Sequence, residues 1–171
     1  MTLNGVSTTE PVNRVAKSPG LAREEFELFY RREFNRSVRL VWLLTGSQVV
    51  AEDIVQEAMA DLFGRFSRLR VPDAYLRRGL VNGARRWHRR ERLRRERLGA
   101  LVGEEVVLDE RDSTMLEAVA RLPYRQRVVI VARYWGGWTE ADIARVLRCR
   151  QGTVKSLASR ALARLRSEVE R

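Results

Sequence analysis

Cysteine, histidine and lysine are almost missing from this 171-residue chain: Cys149, His88, Lys17 and Lys155 are the only examples. A single cysteine excludes an intramolecular disulfide framework and fits a reducing compartment. One histidine and no Cys/His cluster leave no metal or nucleophile constellation with the usual spacing, so neither a catalytic residue nor a metal is assigned. No run of about 18 apolar residues occurs, so no membrane insertion is expected. The first twenty residues lack the apolar stretch of a signal peptide and carry Pro11 and Pro19; they read as a disordered tail. The expected setting is the cytoplasm. Alternating β-branched runs of strand length are missing too, which points to an all-α fold.

What the chain has in excess is arginine. Net charge is +11 and the pI about 11.1, a balance that favours a polyanionic partner. Arginine suits bidentate contact with phosphate and guanine, although GC-rich codon usage accounts for the preference over lysine equally well. The 44% hydrophobic content is enough for packed cores.

Helical periodicity runs through most of the chain. Phe26, Phe29, Phe34, Val38, Val41 and Leu44 form a stripe over 24–44, closed by Thr45-Gly46. Ile54, Val55, Ala58, Leu62, Phe63 and Phe66 form another over 48–66. A third helix starts at Val71-Pro72-Asp73 with Ala74, Tyr75, Leu76, Leu80, Val81, Ala84 and Trp87 inward, and runs into eight arginines between Arg85 and Arg97. An acidic stretch follows, with Glu104, Glu105, Asp109, Glu110 and Asp112. Helices resume at Thr114, paired with Glu117 as a capping box, with Met115, Leu116, Val119 and Leu122 inward. The expected organisation is a tail (1–20), a first helical module (21–97), a short acidic linker (98–113) and a second module (114–171).

Three surfaces carry chemistry. Thr139 to Arg166 reads as a helix-turn-helix: Ile143, Ala144 and Leu147 face inward on its first helix, and Val154, Ala158, Ala161 and Leu165 on its second. Thr139 and Asp142 make a capping box. Arg150, Gln151, Thr153, Lys155, Ser156, Ser159 and Arg160 are left for phosphates and base edges of duplex DNA. The third helix is a second nucleic-acid candidate, with Arg77, Arg78, Arg85, Arg86, Arg89 and Arg90 beside Asn82, Tyr75, Trp87 and His88. Trp87 is open between core packing and base contact. The second helix is acidic: Asp53 and Glu57 share a face with Gln56 and Asp61 nearby. On a basic protein this suits protein docking better than metal binding.

The strings LTGSQVVAEDIVQEAMADLFGRF, PDAYLRRGLVNGARRW, LPYRQRVVIVARYW and GGWTEADIARVLRCRQGTVKSLASRALARLR, in this order over residues 21–171, resemble a bacterial extracytoplasmic-function (ECF) RNA polymerase sigma factor, nearest the actinobacterial sigma-E-like group. The resemblance implies two helical modules, sigma regions 2 and 4, and promoter-specific initiation without catalysis or cofactor. It implies core RNA polymerase as partner, with Asp53, Gln56, Glu57 and Asp61 docking on the β′ clamp helices, further contact to the β subunit, and the linker in the RNA-exit region. Asn82 would hold a flipped base of the −10 element, Arg85, Arg86, Trp87 and Arg89 would contact the strand, and the helix-turn-helix would read −35. An anti-sigma factor is a further partner that the family allows. The chain departs from many relatives at Arg148-Cys149-Arg150, where Gly, an apolar residue and Ser are common. The missing Gly predicts a slightly altered helix end, and Arg150 cannot cap as Ser would; Cys149 reads as an apolar turn filler. Other readings are a helix-turn-helix regulator acting without polymerase, a helical protein-interaction domain, and a metal-dependent nuclease.

Overall fold

The computed structural model describes residues 19–98 and 113–169. All regular structure among them is helical: α1 (Pro19–Thr45), α2 (Gln48–Phe63), a 3-10 turn (Phe66–Arg68), α3 (Pro72–Leu98), α4 (Ser113–Arg121), α5 (Tyr124–Tyr134), α6 (Glu140–Leu147) and α7 (Gln151–Val169). The acidic stretch 99–112 and the tail through residue 18 lie outside the described residues.

Local chemistry sets the helix ends. Helix α1 begins earlier than the stripe from Glu24 suggested, with Pro19 as its first residue, where a missing N–H costs nothing. It ends at Gly46, whose φ of 80° suits glycine and whose N–H donates to Trp42 O at 2.7 Å. Ser47 then caps α2 by accepting from Val50 N. Helix α2 stops at Phe63, three residues short of the expected end, and the chain turns through Gly64 into the 3-10 segment. Phe63 is therefore half-exposed rather than inward, although its ring still lies 4.8 Å from that of Phe26. Phe66, after the break, packs edge-on against Phe26 and Phe29. Helix α4 starts at Ser113, so Thr114 sits inside its first turn instead of at the cap. Met115 is exposed, because the buried stripe runs through Ala118, Val119 and Leu122.

Helices α1 to α3 form the first module, with α2 crossing α3 closely: a Cβ at Gly83 would stand 2.6 Å from Ile54 Cγ2. Helices α4 to α7 form the second around Val128 to Val131, Ile143, Val154 and Ala161. The two modules also pack on each other, α1 against α4 and α5, and α3 against α6, and their buried residues join into one apolar cluster.

Polar contacts define this junction. The Leu44 carbonyl, in the last turn of α1, accepts from His88 Nε2 at 2.6 Å and from an Arg127 guanidinium N–H at 2.8 Å. Arg127 also donates to the carbonyls of Ala120 and Leu122. The Tyr124 hydroxyl donates to Val81 O at 2.6 Å. Arg77 pairs with Asp142 at 2.8 Å and lies over the Trp138 ring. Two buried atoms, Gln126 Oε1 and Arg127 Nε, have no partner among the described residues, at a cost on the order of 1–3 kcal/mol each if no water reaches them.

Burial lowers the pKa of His88 below its ordinary value, opposed by its bond to the Leu44 carbonyl and reinforced by the Arg127 charge. Arg127 and Tyr124 face it from α5, Glu91 and Arg95 from its own helix. Because the folded form resists the proton and the unfolded chain accepts it, this contribution is complete above the ordinary histidine pKa and is lost as pH falls below it. Unfolding midpoints measured from about pH 8 to pH 5.5 should drop more steeply for the native chain than for His88→Asn.

Candidate nucleic-acid and partner-docking surfaces

The helix-turn-helix takes the form expected of it. Thr139 Oγ1 accepts from Asp142 N at 3.1 Å while the Asp142 carboxylate accepts from Thr139 N, so the capping box is complete. Burial would raise the Asp142 pKa, but the Thr139 hydrogen bonds together with Arg77 and Arg145 outweigh it and hold the carboxylate below its usual range. Ile143 and Ala144 are buried, Leu147 half-buried; Val154, Ala158, Ala161 and Leu165 seat α7 against the module.

The turn resolves the departure at Arg148. Its backbone is left-handed, φ 50° and ψ 54°, and Cys149 N donates to Ala144 O. The helix end keeps the geometry that glycine would take, so the alteration expected there does not occur; the strain falls on Arg148 itself. Cys149 is half-buried against the apolar cluster. Arg150 precedes α7, where its carbonyl accepts from Thr153 N and Val154 N and its side chain is exposed.

Gln151, Thr153, Lys155, Ser156, Ser159 and Arg160 are all exposed. With Arg150 they present one basic, hydrogen-bonding surface at the start of α7, where backbone N–H groups and the helix dipole favour an anion. Lys155 is held only loosely, 3.9 Å from Glu140.

Helix α3 splits its predicted residues between two sides. Arg85, Arg86 and Arg89 are exposed; Asn82 is half-buried, and its amide has no partner among the described residues. Asn82 lies between two clefts: one of about 390 Å³ shared with Glu57, Asp61 and Arg86, and one of about 250 Å³ facing Tyr124, Arg125 and Arg148. Trp87 is half-buried against the core, edge-on to His88, and His88 is turned into the module junction, so it is not free to stack on a base. Arg77, read as part of the basic face, is engaged by Asp142. Beyond Arg89, Glu91 binds Arg94 and Arg95, which depress its pKa to about 2.

The acidic residues also divide. Asp53 and Gln56 are exposed and unpartnered among the described residues. Glu57 is also exposed but pairs with Arg86 at 3.2 Å. Asp61 accepts from the Tyr75 hydroxyl at 2.5 Å and from Arg65, which keep its pKa low. The docking and strand-binding candidates are thus neighbours across the α2–α3 crossing. No group of three or more His, Cys, Asp or Glu side chains close enough to hold a metal occurs among the described residues.

The family described as Sigma-70, region 4 matches residues 113–165, the span of α4 to α7. The RNA polymerase sigma-E factor of Streptomyces coelicolor is 34% identical over 152 residues, covering 85% of this chain and 86% of its own length. This chain belongs to the ECF RNA polymerase sigma factors. A second sigma-E factor, from Streptomyces antibioticus, is 35% identical with 85% of each chain covered. The ECF sigma factor SigM of Mycobacterium tuberculosis is 32% identical, covering 84% of this chain and 76% of its own. In fold, this sigma factor is similar to RpoE of Bartonella quintana, solved in complex with the anti-sigma factor NepR, with TM-score 0.68 at 22% identity over 86% of this chain and 98% of that one. It is also similar to CnrH, solved with the cytosolic domain of CnrY, with TM-score 0.64 at 20% identity, over 88% and 94% of the two chains.

Two outcomes follow from the turn and the recognition surface. Arg148→Gly should stabilise the second module by about 1 kcal/mol, read as a higher urea midpoint at unchanged slope. Lys155→Ala should weaken duplex binding across sequences and reduce the salt dependence by about one phosphate contact.

Proposed function

We propose that this sigma factor directs core RNA polymerase to promoters by reading a duplex −35 element with α7 and capturing an opened −10 strand on α3. The observation that carries this reading is the arrangement on one chain of a complete helix-turn-helix and, separately, an arginine-lined helix whose Asn82 has no partner among the described residues. A regulator that binds only duplex needs no second basic surface of that kind.

The acidic side of α2 is the docking surface for the polymerase β′ clamp helices. Asp53 and Gln56 offer free polar groups there, with Glu57 and Asp61 at its edge, and further contact is made with the β subunit. On α3, the Asn82 amide can both donate to and accept from the edge of an unstacked base, while Arg85, Arg86 and Arg89 neutralise the strand's phosphates. Trp87 supports this surface from the core side. On the −35 duplex, Arg150, Gln151, Thr153, Lys155, Ser156, Ser159 and Arg160 supply phosphate contacts and base-edge readout. Capture of the flipped base offsets part of the unpairing cost, and the polymerase supplies nucleotidyl transfer, so the chain needs no catalytic residue or cofactor. It would act in the cytoplasm. Boundaries near residues 21–97 and 114–171, joined through 98–113, match these roles. Because similar folds have been solved with an anti-sigma factor or with CnrY, a silencing protein of that kind is a further partner.

Co-purification with bacterial core polymerase tests the docking surface. The native chain should be retained, and the Asp53→Arg/Glu57→Arg form should lose at least tenfold in affinity, about 1.4 kcal/mol. Retention of the reversed form would move the interface elsewhere. No retention of the native chain would overturn the polymerase role.

A further inference from the structure

We infer that the arginine-lined cavity walled by α1, α3 and the corner after α5 is a binding site for a nucleoside diphosphate or triphosphate, with the base against Trp135 and the phosphates on Arg36 and Arg39. None of the DNA and polymerase contacts proposed above uses these residues, so the site is separate from those roles.

The cavity encloses about 760 Å³, within the roughly 300–1,000 Å³ range of small-molecule sites. Helix α1 supplies Arg32, Arg36 and Arg39 at i, i+4 and i+7, so three guanidiniums follow one another over about 10 Å of one helix face. Helix α3 supplies Asp73, Leu76, Arg77 and Leu80. Leu80 and Asn82 lie about 160° apart around that helix, which sets the cavity on the side away from the strand-binding face. Tyr134, Trp135 and Trp138 form the remaining wall.

Charge in the cavity is unevenly matched. Arg32 holds Glu33 at 2.8 Å and Asp73 at 3.3 Å, and Arg77 is taken by Asp142. Arg36 comes only to 3.9 Å from Glu33, which Arg32 already neutralises, and Arg39 has no partner among the described residues. Two guanidiniums therefore keep donors to offer, and the oxygens of a diphosphate match them in pairs. Ser37 is 4% exposed and lines the same wall, yet its hydroxyl has no hydrogen-bond partner among the described residues. A buried hydroxyl in that condition calls for a bound group.

The remaining wall adds a flat surface. Tyr134 and Trp135 are 56% and 40% exposed, and the Trp135 side chain makes no hydrogen bond or ring contact among the described residues. Gly136 holds this corner close to α1: a Cβ there would stand 3.0 Å from Leu40 Cδ1 and 2.7 Å from Ala132 O. An exposed indole on the same cavity as unpaired guanidiniums suits a ligand that is planar at one end and anionic at the other. Phosphate alone would leave the rings bare, and an uncharged ring would leave the arginines unmatched. A nucleotide satisfies both.

Equilibrium dialysis of the full chain against adenosine diphosphate, at physiological ionic strength and without polymerase or DNA, tests the site. One equivalent should bind saturably, and a single-stranded −10 oligonucleotide should not displace it. Adenosine and inorganic pyrophosphate, each carrying half of the chemistry, should bind at least tenfold more weakly. Arg36→Ala/Arg39→Ala should lose at least tenfold in affinity, whereas Arg31→Ala/Arg121→Ala, which removes the same charge outside the cavity, should leave it unchanged. All four arginines are exposed, so the fold survives their removal, as the urea midpoint checks. Trp135→Leu should weaken binding of adenosine diphosphate and not of pyrophosphate. Equal loss in the two arginine pairs would reduce the site to general attraction between a basic chain and an anion. Pyrophosphate bound as tightly as the nucleotide would overturn the inference, and so would displacement by the oligonucleotide, which assigns this chemistry to the strand-binding surface. Absence of binding by the native chain would remove the site outright. Polymerase enters none of these readings, so the promoter role stands whichever way they fall.

Discussion

The carbonyl of Leu44 is the point on which the arrangement of this molecule turns. A helix leaves its last carbonyls without partners of its own, and this one lies where α1 meets both α3 and α5. His88 supplies one donor from α3 and Arg127 another from α5. Two long-range orientations are therefore set at a single oxygen. The His88 tautomer with hydrogen on Nε2 is the one that can donate there, and Arg127 is held in place by carbonyls at the end of α4. Loss of either donor would leave this carbonyl with one partner and release one of the two helices that meet there.

Charge in this chain serves two purposes that composition cannot separate. Arg127 and Arg77 are structural: one is half-buried, with its pKa lowered chiefly by desolvation, and the other is sandwiched between a carboxylate and an indole. Arg85, Arg89, Arg150 and Arg160 remain at the surface, available to phosphate. The planar guanidinium fits both tasks, since it can fill several carbonyls at once in the interior and pair with a phosphate outside. Arg86 stands between the two, bridged to Glu57 and still exposed.

Local features were legible in the sequence because each depends on residues a few positions apart. The helical stripes, the Gly46 stop, the capping box at Thr139 and the outward face of α7 all follow from spacing and short-range hydrogen bonding. Departures arose where distant parts of the chain decide. His88 resembled a base-stacking ring beside Trp87, but its partner is a carbonyl 44 positions earlier. Tyr124 and Arg127 carried no local signature of the contacts they make with Val81 and Leu44. Arg77 belonged by periodicity to a basic face, yet Asp142 claims it from another module. Met115 failed for a simpler reason: it lies at the margin of a stripe centred on Ala118 and Val119. Tertiary packing thus sorts the members of each candidate surface between structural contacts and the exposed face.

Arg148 shows how much freedom such a motif leaves to divergence. The left-handed turn between α6 and α7 persists without glycine because the buried contacts of Ile143 and Val154 fix both helices around it. Shape is thus imposed from the interior, and the turn residue tolerates a side chain at a modest energetic penalty. A lineage can therefore place a cation, a polar group or nothing at that exposed corner without redesigning the motif. Position 148 is a site where the surface charge of the corner can change while the scaffold stays the same.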